Sequence, residues 1–297
     1  MRQQAVSRAE PPILPSVRNR PDPPLRLAIV IPAYCEEEGL GPVLHGIPDL
    51  GPAFERRVFV VDDGSTDGTA ETVRRAGATL VRHAQNLGIG AALTTGFVAA
   101  LTWGADLIVM MDADGQHDPA LLAALVAPIV AGRADLVLGS RFRSDASGFP
   151  NLRRVGVMAY TRLIRVLSGY DLTDVTTGYR AFRASVYPRL SFRAHKNWAI
   201  EMTLRAGLND VRMQEISAPH RDRCGGHSQF DRSRLFLQYH GRALLQLARA
   251  YASKLSPPGR WWSPPTPMRL PRAFSRAGLD GHDGAARPPG ERTMVDH

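Results

Sequence analysis

A series of short apolar runs, each closed by polar residues that turn the chain, constrains this sequence more than any other feature. Leu27-Ala-Ile-Val-Ile31 and Val58-Phe-Val-Val61 lack polar alternation, which is the pattern of strands buried on both faces of a sheet. Ala78–Val81, Leu107–Met111 and Leu136–Leu138 read as three further strands. Helical segments lie between them. One follows Glu36-Glu37-Glu38, and one is entered at Thr69 with Ser65 or Asp67 as cap. Another covers Gly90–Trp103, and a fourth opens at Asp118-Pro119 and runs through Val130. Strands alternating with helices at this spacing predict an α/β fold with a mostly parallel central sheet flanked by helices.

Composition matters for the boundaries. Residues 1–26 and 252–297 hold 14 of the 23 prolines, and each carries a net charge of +3 out of +9 for the chain. Pro-, Arg- and Gly-rich stretches without periodicity bury too little apolar surface to offset chain entropy. Residues 1–25 and 256–297 are therefore expected to be disordered tails around one folded domain at 26–255. The modest +3 of the middle, with aromatics at 7%, argues against a nucleic-acid-binding surface. Two cysteines, Cys35 and Cys224, cannot form a disulfide framework. No run of 18 apolar residues occurs, and no apolar segment follows the early arginines, so the cytoplasm is the expected compartment.

Three acidic clusters follow the expected strands: Glu36, Asp62-Asp63, and Asp112-Ala-Asp114. Strand carboxyl ends of an open α/β sheet share one crevice, and carboxylates crowded there repel unless a cation or ligand compensates. Asp112, Asp114 and Gln116 alternate oxygen donors behind a buried strand, which suits Mg²⁺ or Mn²⁺ and, through the metal, a diphosphate. Neither a GxxxxGK[ST] loop nor a full dinucleotide fingerprint is present. Asp62 or Asp63 is placed to accept from a base or ribose, and Asn86–Gly90 starts a helix whose N–H groups can face an anion.

Seven segments in order resemble the family 2 glycosyltransferases of GT-A fold. They are Val30-Ile-Pro-Ala-Tyr-Cys-Glu36, Val60-Val-Asp-Asp-Gly-Ser-Thr-Asp-Gly-Thr69, Asn86-Leu-Gly-Ile-Gly90 and Met111-Asp-Ala-Asp-Gly-Gln-His-Asp-Pro119, then Gly139-Ser-Arg-Phe142, Asp174-Val-Thr-Thr-Gly-Tyr-Arg180 and Arg223-Cys-Gly-Gly-His-Ser228. They span about residues 27–230, and the branch looks like the polyprenyl-phosphate sugar synthases. The resemblance implies that Pro32, Tyr34 and Glu36 line a nucleotide-sugar pocket, with Val61 and Asp63 beside base and ribose. It matches Asp112, Ala113 and Asp114 to an Asp-x-Asp element and Gln116 to a metal-proximal ligand. Arg223 matches an arginine that closes over the diphosphate. The sequence departs from the pattern at Gln229, where the family has Lys, and an amide supplies no ammonium.

Displacing a nucleoside diphosphate requires charge stabilisation at the departing phosphates, a task for the metal and Arg223. A phosphate monoester acceptor is largely ionised near neutrality and needs cations that hold it rather than a base. Arg141 and Arg154 are the candidates, with Arg153 and Arg165 as alternatives to Arg154. The expected activity is inverting hexose transfer from GDP-mannose or UDP-glucose to a polyprenyl phosphate. Transfer to a soluble or polysaccharide hydroxyl is the alternative, and it would need a carboxylate base such as Glu201 or Asp174. Leu152–Leu167 interleaves apolar residues with Arg153, Arg154, Arg162 and Arg165. It suits either an interfacial helix on the inner membrane face or a core helix with a solvated side. Phe236–Tyr251 presents the same pair of readings.

Overall fold

The computed structural model describes residues 23–143, 151–190, 192, 197–219 and 221–223. Its centre is a seven-stranded sheet: β1 (Leu25–Ala33), β2 (Phe54–Asp62), β3 (Thr79–Arg82), β4 (Leu107–Met110), β5 (Leu136–Ser140), β6 (Arg180–Arg183) and β7 (Met213–Ser217). The spatial order is β3-β2-β1-β4-β6-β5-β7. Parallel pairs join β1 to β2 and β4, β2 to β3, and β5 to β7. β6 runs antiparallel to both β4 and β5. The sheet is mostly parallel, as the alternating pattern predicts.

Among the described residues the α-helices are α1 (Glu37–Gly46), α2 (Thr69–Arg75), α3 (Ile89–Trp103), α4 (Leu122–Val130), α5 (Asn151–Ser168), α6 (Tyr187–Leu190) and α7 (Trp198–Leu208). Asp118 caps a 3₁₀ turn (Pro119–Leu121) that leads into α4, and Gly68 stands at the N-cap of α2, where Ser65 or Asp67 is expected, with Asp67 one residue earlier. Asp118 accepts a 3.0 Å hydrogen bond from the Ala120 N–H ahead of α4, and Asp67 accepts from the Thr69 N–H at 3.1 Å. β1 begins at Leu25, one residue ahead of the domain boundary expected at 26. The expected tails otherwise lie outside the described residues, as does Phe236–Tyr251.

Both faces of β1 are covered, which is why its apolar run shows no alternation. Leu27, Ile29 and Ile31 join the core formed with Leu40 and Val43 of α1 and Leu122, Leu125 and Ile129 of α4. On the other face, α3 lies so close that a Cβ on Gly96 would come within 2.3 Å of Val30 Cγ1 and 3.1 Å of Val61 Cγ2. Burying each such Leu or Ile contributes about 1.5–3 kcal/mol, enough to hold the strand ends in register.

β6 and β7 were absent from the sequence expectation. Both interrupt their apolar residues with polar ones, in Arg180-Ala-Phe-Arg183 and Met213-Gln-Glu-Ile-Ser217. The direction of β6 has a functional consequence. Its first residue, Arg180, pairs with Met110 of β4 and Leu138 of β5 near their carboxyl ends. Residues just before β6 therefore enter the same crevice as the loops that leave the parallel strands.

Candidate active site

The turn after β1 places Glu36. Cys35 adopts a left-handed backbone (φ 54°), with its N–H donated to Ser65 Oγ at 2.9 Å. The Glu36 N–H donates to Thr69 Oγ1, also at 2.9 Å. Across the crevice, a Cβ on Gly39 of α1 would sit 3.0 Å from the Ala113 carbonyl and 3.3 Å from Asp114 Cα. That small residue lets the β1 turn and the Asp112–Asp114 segment meet. Pro32 pairs with Val61 in the β1–β2 register, and Asp63 follows at once, its N–H donated to the Ala33 carbonyl at 2.8 Å. The residues expected to line the nucleotide pocket are thus brought together at two adjacent strand ends, with Tyr34 partly buried beside them.

Of the two acids after β2, Asp62 is buried and shapes the turn. Its Oδ1 accepts from the Ser65 N–H at 2.8 Å, and Oδ2 lies 3.1 Å from Arg82 Nε. Asp63 is nearly as buried. It accepts from the N–H groups of Leu87 (2.9 Å) and Gly88 (2.7 Å) and pairs with His83 Nδ1 at 2.7 Å.

Asp112 and Asp114 follow β4. The Asp112 N–H donates to His117 Nδ1 at 3.0 Å, so His117 carries its proton on Nε2, which lies 3.6 Å from Asp112 Oδ2. The His117 ring stacks on Tyr179 with centroids 5.0 Å apart. Gly178 closes the other side of this carboxylate, since a Cβ there would approach its two oxygens to 3.1 and 3.2 Å. Asp114 Oδ1 accepts from the Gln116 N–H at 3.0 Å. Burial raises Asp114 above the usual carboxylate range, with the Asp112 charge adding to the shift. Burial likewise raises Glu36, where Arg223 opposes the shift and Asp114 and Asp112 add to it.

These shifts test whether a divalent cation fits. Glu36, Asp112 and Asp114 repel one another in a partly dry crevice, and a hard cation would relieve that repulsion. Among the described residues no three His, Cys, Asp or Glu side chains form a ready-made metal cluster. Asp112 and Asp114, with Gln116, offer oxygen donors that fit Mg²⁺ or Mn²⁺ and leave the other positions to water or substrate oxygens. Arg223 bonds to Glu36 and lies 3.9 Å from Asp114 Oδ2. It thus sets a positive charge among the carboxylates of the crevice. His227 and Gln229 fall outside the described residues.

Arg141, just beyond β5, reaches the crevice but is engaged there. Its Nε and Nη2 grip both oxygens of Asp174 at 2.6 and 2.9 Å, and Nη2 also donates to Thr176 Oγ1 at 2.6 Å. The rival cation and base of the sequence analysis are one ion pair. Burial works to raise Asp174, but the Arg141 bond and charge and the Thr176 hydroxyl hold it below the usual carboxylate range. So low a carboxylate is a poor base near neutrality. The other candidate base, Glu201, is buried and accepts from Arg205 Nε at 2.8 Å. Arg154 and Arg153 sit on the first turn of α5, and their side chains lie outside the described residues.

Two further residues shape this corner: Glu215, which matches a family position but carries no assigned role from the sequence, and Arg180, the last residue of the Asp174–Arg180 motif. Glu215 of β7 accepts from the N–H groups of Thr173 (2.8 Å) and Asp174 (2.9 Å). Arg180 is fully buried, donating to the carbonyls of Thr177 and Val175 at 2.8 Å each and to Thr203 Oγ1 at 3.0 Å, with Trp198 under its guanidinium. Burial lowers it to about 9, with Asp174 opposing that shift. A fully buried arginine has no local signature; only the Asp174–Arg180 motif marked the segment.

Comparison with known proteins agrees with this geometry. Residues 28–191 match the family model described as Glycosyl transferase family 2. An undecaprenyl-phosphate mannosyltransferase of Micrococcus luteus is 32% identical over 216 residues, covering 69% of this chain and 87% of that protein. A polyprenol monophosphomannose synthase of Mycolicibacterium smegmatis is 31% identical over 229 residues, covering 72% and 84%. Among solved structures, glucosyl-3-phosphoglycerate synthase from Mycobacterium tuberculosis, in complex with Mn²⁺, UDP and glucosyl-3-phosphoglycerate, shares the fold. The TM-score is 0.54 at 22% identity, over 77% of this chain and 80% of that one.

Proposed function

The chain belongs to glycosyl transferase family 2 and has the GT-A fold, and from that premise we propose that it transfers a hexose, with inversion, from GDP-mannose or UDP-glucose to a polyprenyl phosphate. The observation that carries the proposal is the convergence of Glu36, Asp112, Asp114 and Arg223 at the strand ends. The lipid-phosphate acceptors in the names of the two relatives support the acceptor class.

Asp112 and Asp114, with Gln116 beside them, would hold Mg²⁺ or Mn²⁺, which when bound offsets charge on a departing diphosphate. Pro32, Tyr34, Val61, Asp63 and Ala113 form the wall on which the nucleotide lies, and Glu36 holds Arg223 beside the phosphates. An acceptor phosphate arrives ionised, so transfer calls for orientation and charge neutralisation more than proton removal. Engagement of Asp174 and Glu201 by arginines supports that acceptor over a hydroxyl. Arg141 orients the phosphate from the rim, with Arg154 as its second contact.

Among the described residues no helix is long and apolar enough to cross a membrane. α5 buries Tyr160, Thr161 and Ile164 and exposes Met158 (56%) and Val166 (77%) beside exposed Arg162 and Arg165. This outer face suits the headgroup region of the inner membrane face, where the acceptor lies. The test is radiolabelled transfer with polyprenyl phosphate and a panel of nucleotide sugars. Label is expected in the lipid fraction, and Asp112→Asn should reduce transfer at least about a hundredfold, the scale of losing a main electrostatic stabiliser. Label found only on water-soluble hydroxyl acceptors would overturn the acceptor assignment.

A further inference from the structure

Asp63 has little exposure, yet three donors converge on it. Leu87 and Gly88, entering α3, give it two backbone N–H donors, and His83, just past β3, gives it a ring N–H. A carboxylate only accepts, so His83 carries its proton on Nδ1. Nε2 of the same ring lies 3.0 Å from Thr95 Oγ1, and in the neutral ring it accepts a hydrogen bond from that hydroxyl. The side chains of His83 and Asp63 are 9% and 4% exposed, so the bonds stand in little water and are worth more for it. Two glycines close the corner. A Cβ on Gly64 would strike the Gln85 carbonyl carbon at 2.6 Å and the Asn86 nitrogen at 2.8 Å, and Gly96, next to Thr95, seats α3 on Val30 and Val61.

From this arrangement we infer that His83 is a positioning residue for donor-nucleotide binding. It holds Asp63 in the rotamer that fixes the Asn86–Gly88 loop and leaves the carboxylate a single further acceptor direction. A carboxylate offers about four acceptor directions, and three are taken here. A nucleotide meeting Asp63 therefore does so through one N–H or O–H, not a bidentate pair. Without the His83 bond the carboxylate can rotate, and both the remaining direction and the loop that walls the β1–β2 strand ends lose their definition. His83 stands apart from the Asp112–Asp114 centre, so its effect is on donor capture and not on the departing diphosphate. The inference rests on the proposed nucleotide-sugar reading.

The test compares the full chain with His83→Phe, which keeps a ring of similar size without polar atoms, and with His83→Asn, whose amide N–H can still reach Asp63. Equilibrium binding of UDP and of GDP in Mn²⁺, steady-state kinetics, and amide hydrogen exchange at Leu87 and Gly88 are the readouts. His83→Phe should bind the preferred nucleotide roughly tenfold more weakly, the scale of one hydrogen bond to a buried charge. It should raise the donor KM with kcat nearly unchanged, and speed exchange at both amides. His83→Asn should recover most of each effect. Wild-type affinity and wild-type exchange in His83→Phe would overturn the inference. A fall in kcat without a change in donor KM would do the same. A parent chain that binds neither UDP nor GDP, while the amides still loosen in His83→Phe, would overturn the nucleotide reading and leave His83 only a role in the fold.

Discussion

Arg141 and Asp174 lie 33 positions apart and share three hydrogen bonds, two from the guanidinium and one from the Arg141 N–H, in a site where Asp174 has no exposed surface. Removing one partner strands the other charge, so Arg141→Ala should destabilise the fold by about 3–5 kcal/mol. The double change Arg141→Met with Asp174→Leu should recover much of that, because it leaves no uncompensated charge. Urea melts of the three variants check both expectations. The pH dependence follows from the lowered Asp174. A carboxyl whose folded pKa lies below its unfolded value of 3.8 contributes stability that is full above 3.8 and fades as pH falls through the folded value. Asp174→Asn should therefore flatten the acid limb of the stability profile below about pH 4. An unchanged acid limb would show that the pair is not coupled to folding. Activity losses in Arg141 variants have to be read on the folded fraction, since this residue supports the loop as well as carrying the proposed contact with the acceptor.

At the scale of elements, the antiparallel insertion of β6 brings the 173–178 loop into the crevice. Glu215, Arg141 and Arg180 fasten that loop at Thr173, Asp174, Val175 and Thr177. At its end Gly178 backs the Asp112 carboxylate so closely that a Cβ would sit 3.1 and 3.2 Å from its oxygens, which would have to give by a few tenths of an ångström. Its backbone is not left-handed, so alanine is allowed by φ and the cost falls on His117 Cε1, 3.1 Å from the added Cβ, and on the Asp112 carboxylate. Gly178→Ala should weaken Mn²⁺ binding by about tenfold through displacement of that ligand, with a melting curve close to the parent's. Titration of Mn²⁺ followed by paramagnetic resonance measures this directly. Parent-like affinity would mean that Asp112 is not a ligand or that its carboxylate moves aside without loss.

At the largest scale, the described residues set the α/β sheet under a crevice fed by the ends of β1, β2, β4, β5 and β7 and the start of β6. The described fold begins at residue 23, with β1 entering at Leu25. A chain cut to 23–257 keeps every described element, so it should retain a single cooperative melt. It should also retain stabilisation by Mn²⁺ with nucleoside diphosphate, about 2.7 kcal/mol at a hundredfold excess over Kd. Differential scanning of the full and shortened chains makes the comparison. A broadened transition, or loss of the ligand-dependent shift, would show that one of the Pro-rich tails takes part in the fold or the site.

Elements whose signals are local were legible in the amino-acid order. Apolar runs without alternation located β1, β2, β4 and β5, and Asp118-Pro119 marked the approach to α4. The acids at strand ends located the crevice, because an α/β sheet gathers its loops at one edge. Tertiary structure alone decided which charges meet. Arg223 finds Glu36 from 187 positions away, and Glu215 reaches the N–H groups of Thr173 and Asp174 from more than 40. It also turned Arg141 and Asp174 from rivals into partners and showed Asp63 held by His83, Leu87 and Gly88. The physical reason is range. Periodicity and capping are written into a few neighbouring residues, whereas an ion pair depends on strand order and direction. β6 carries that information in a four-residue segment whose two arginines conceal it.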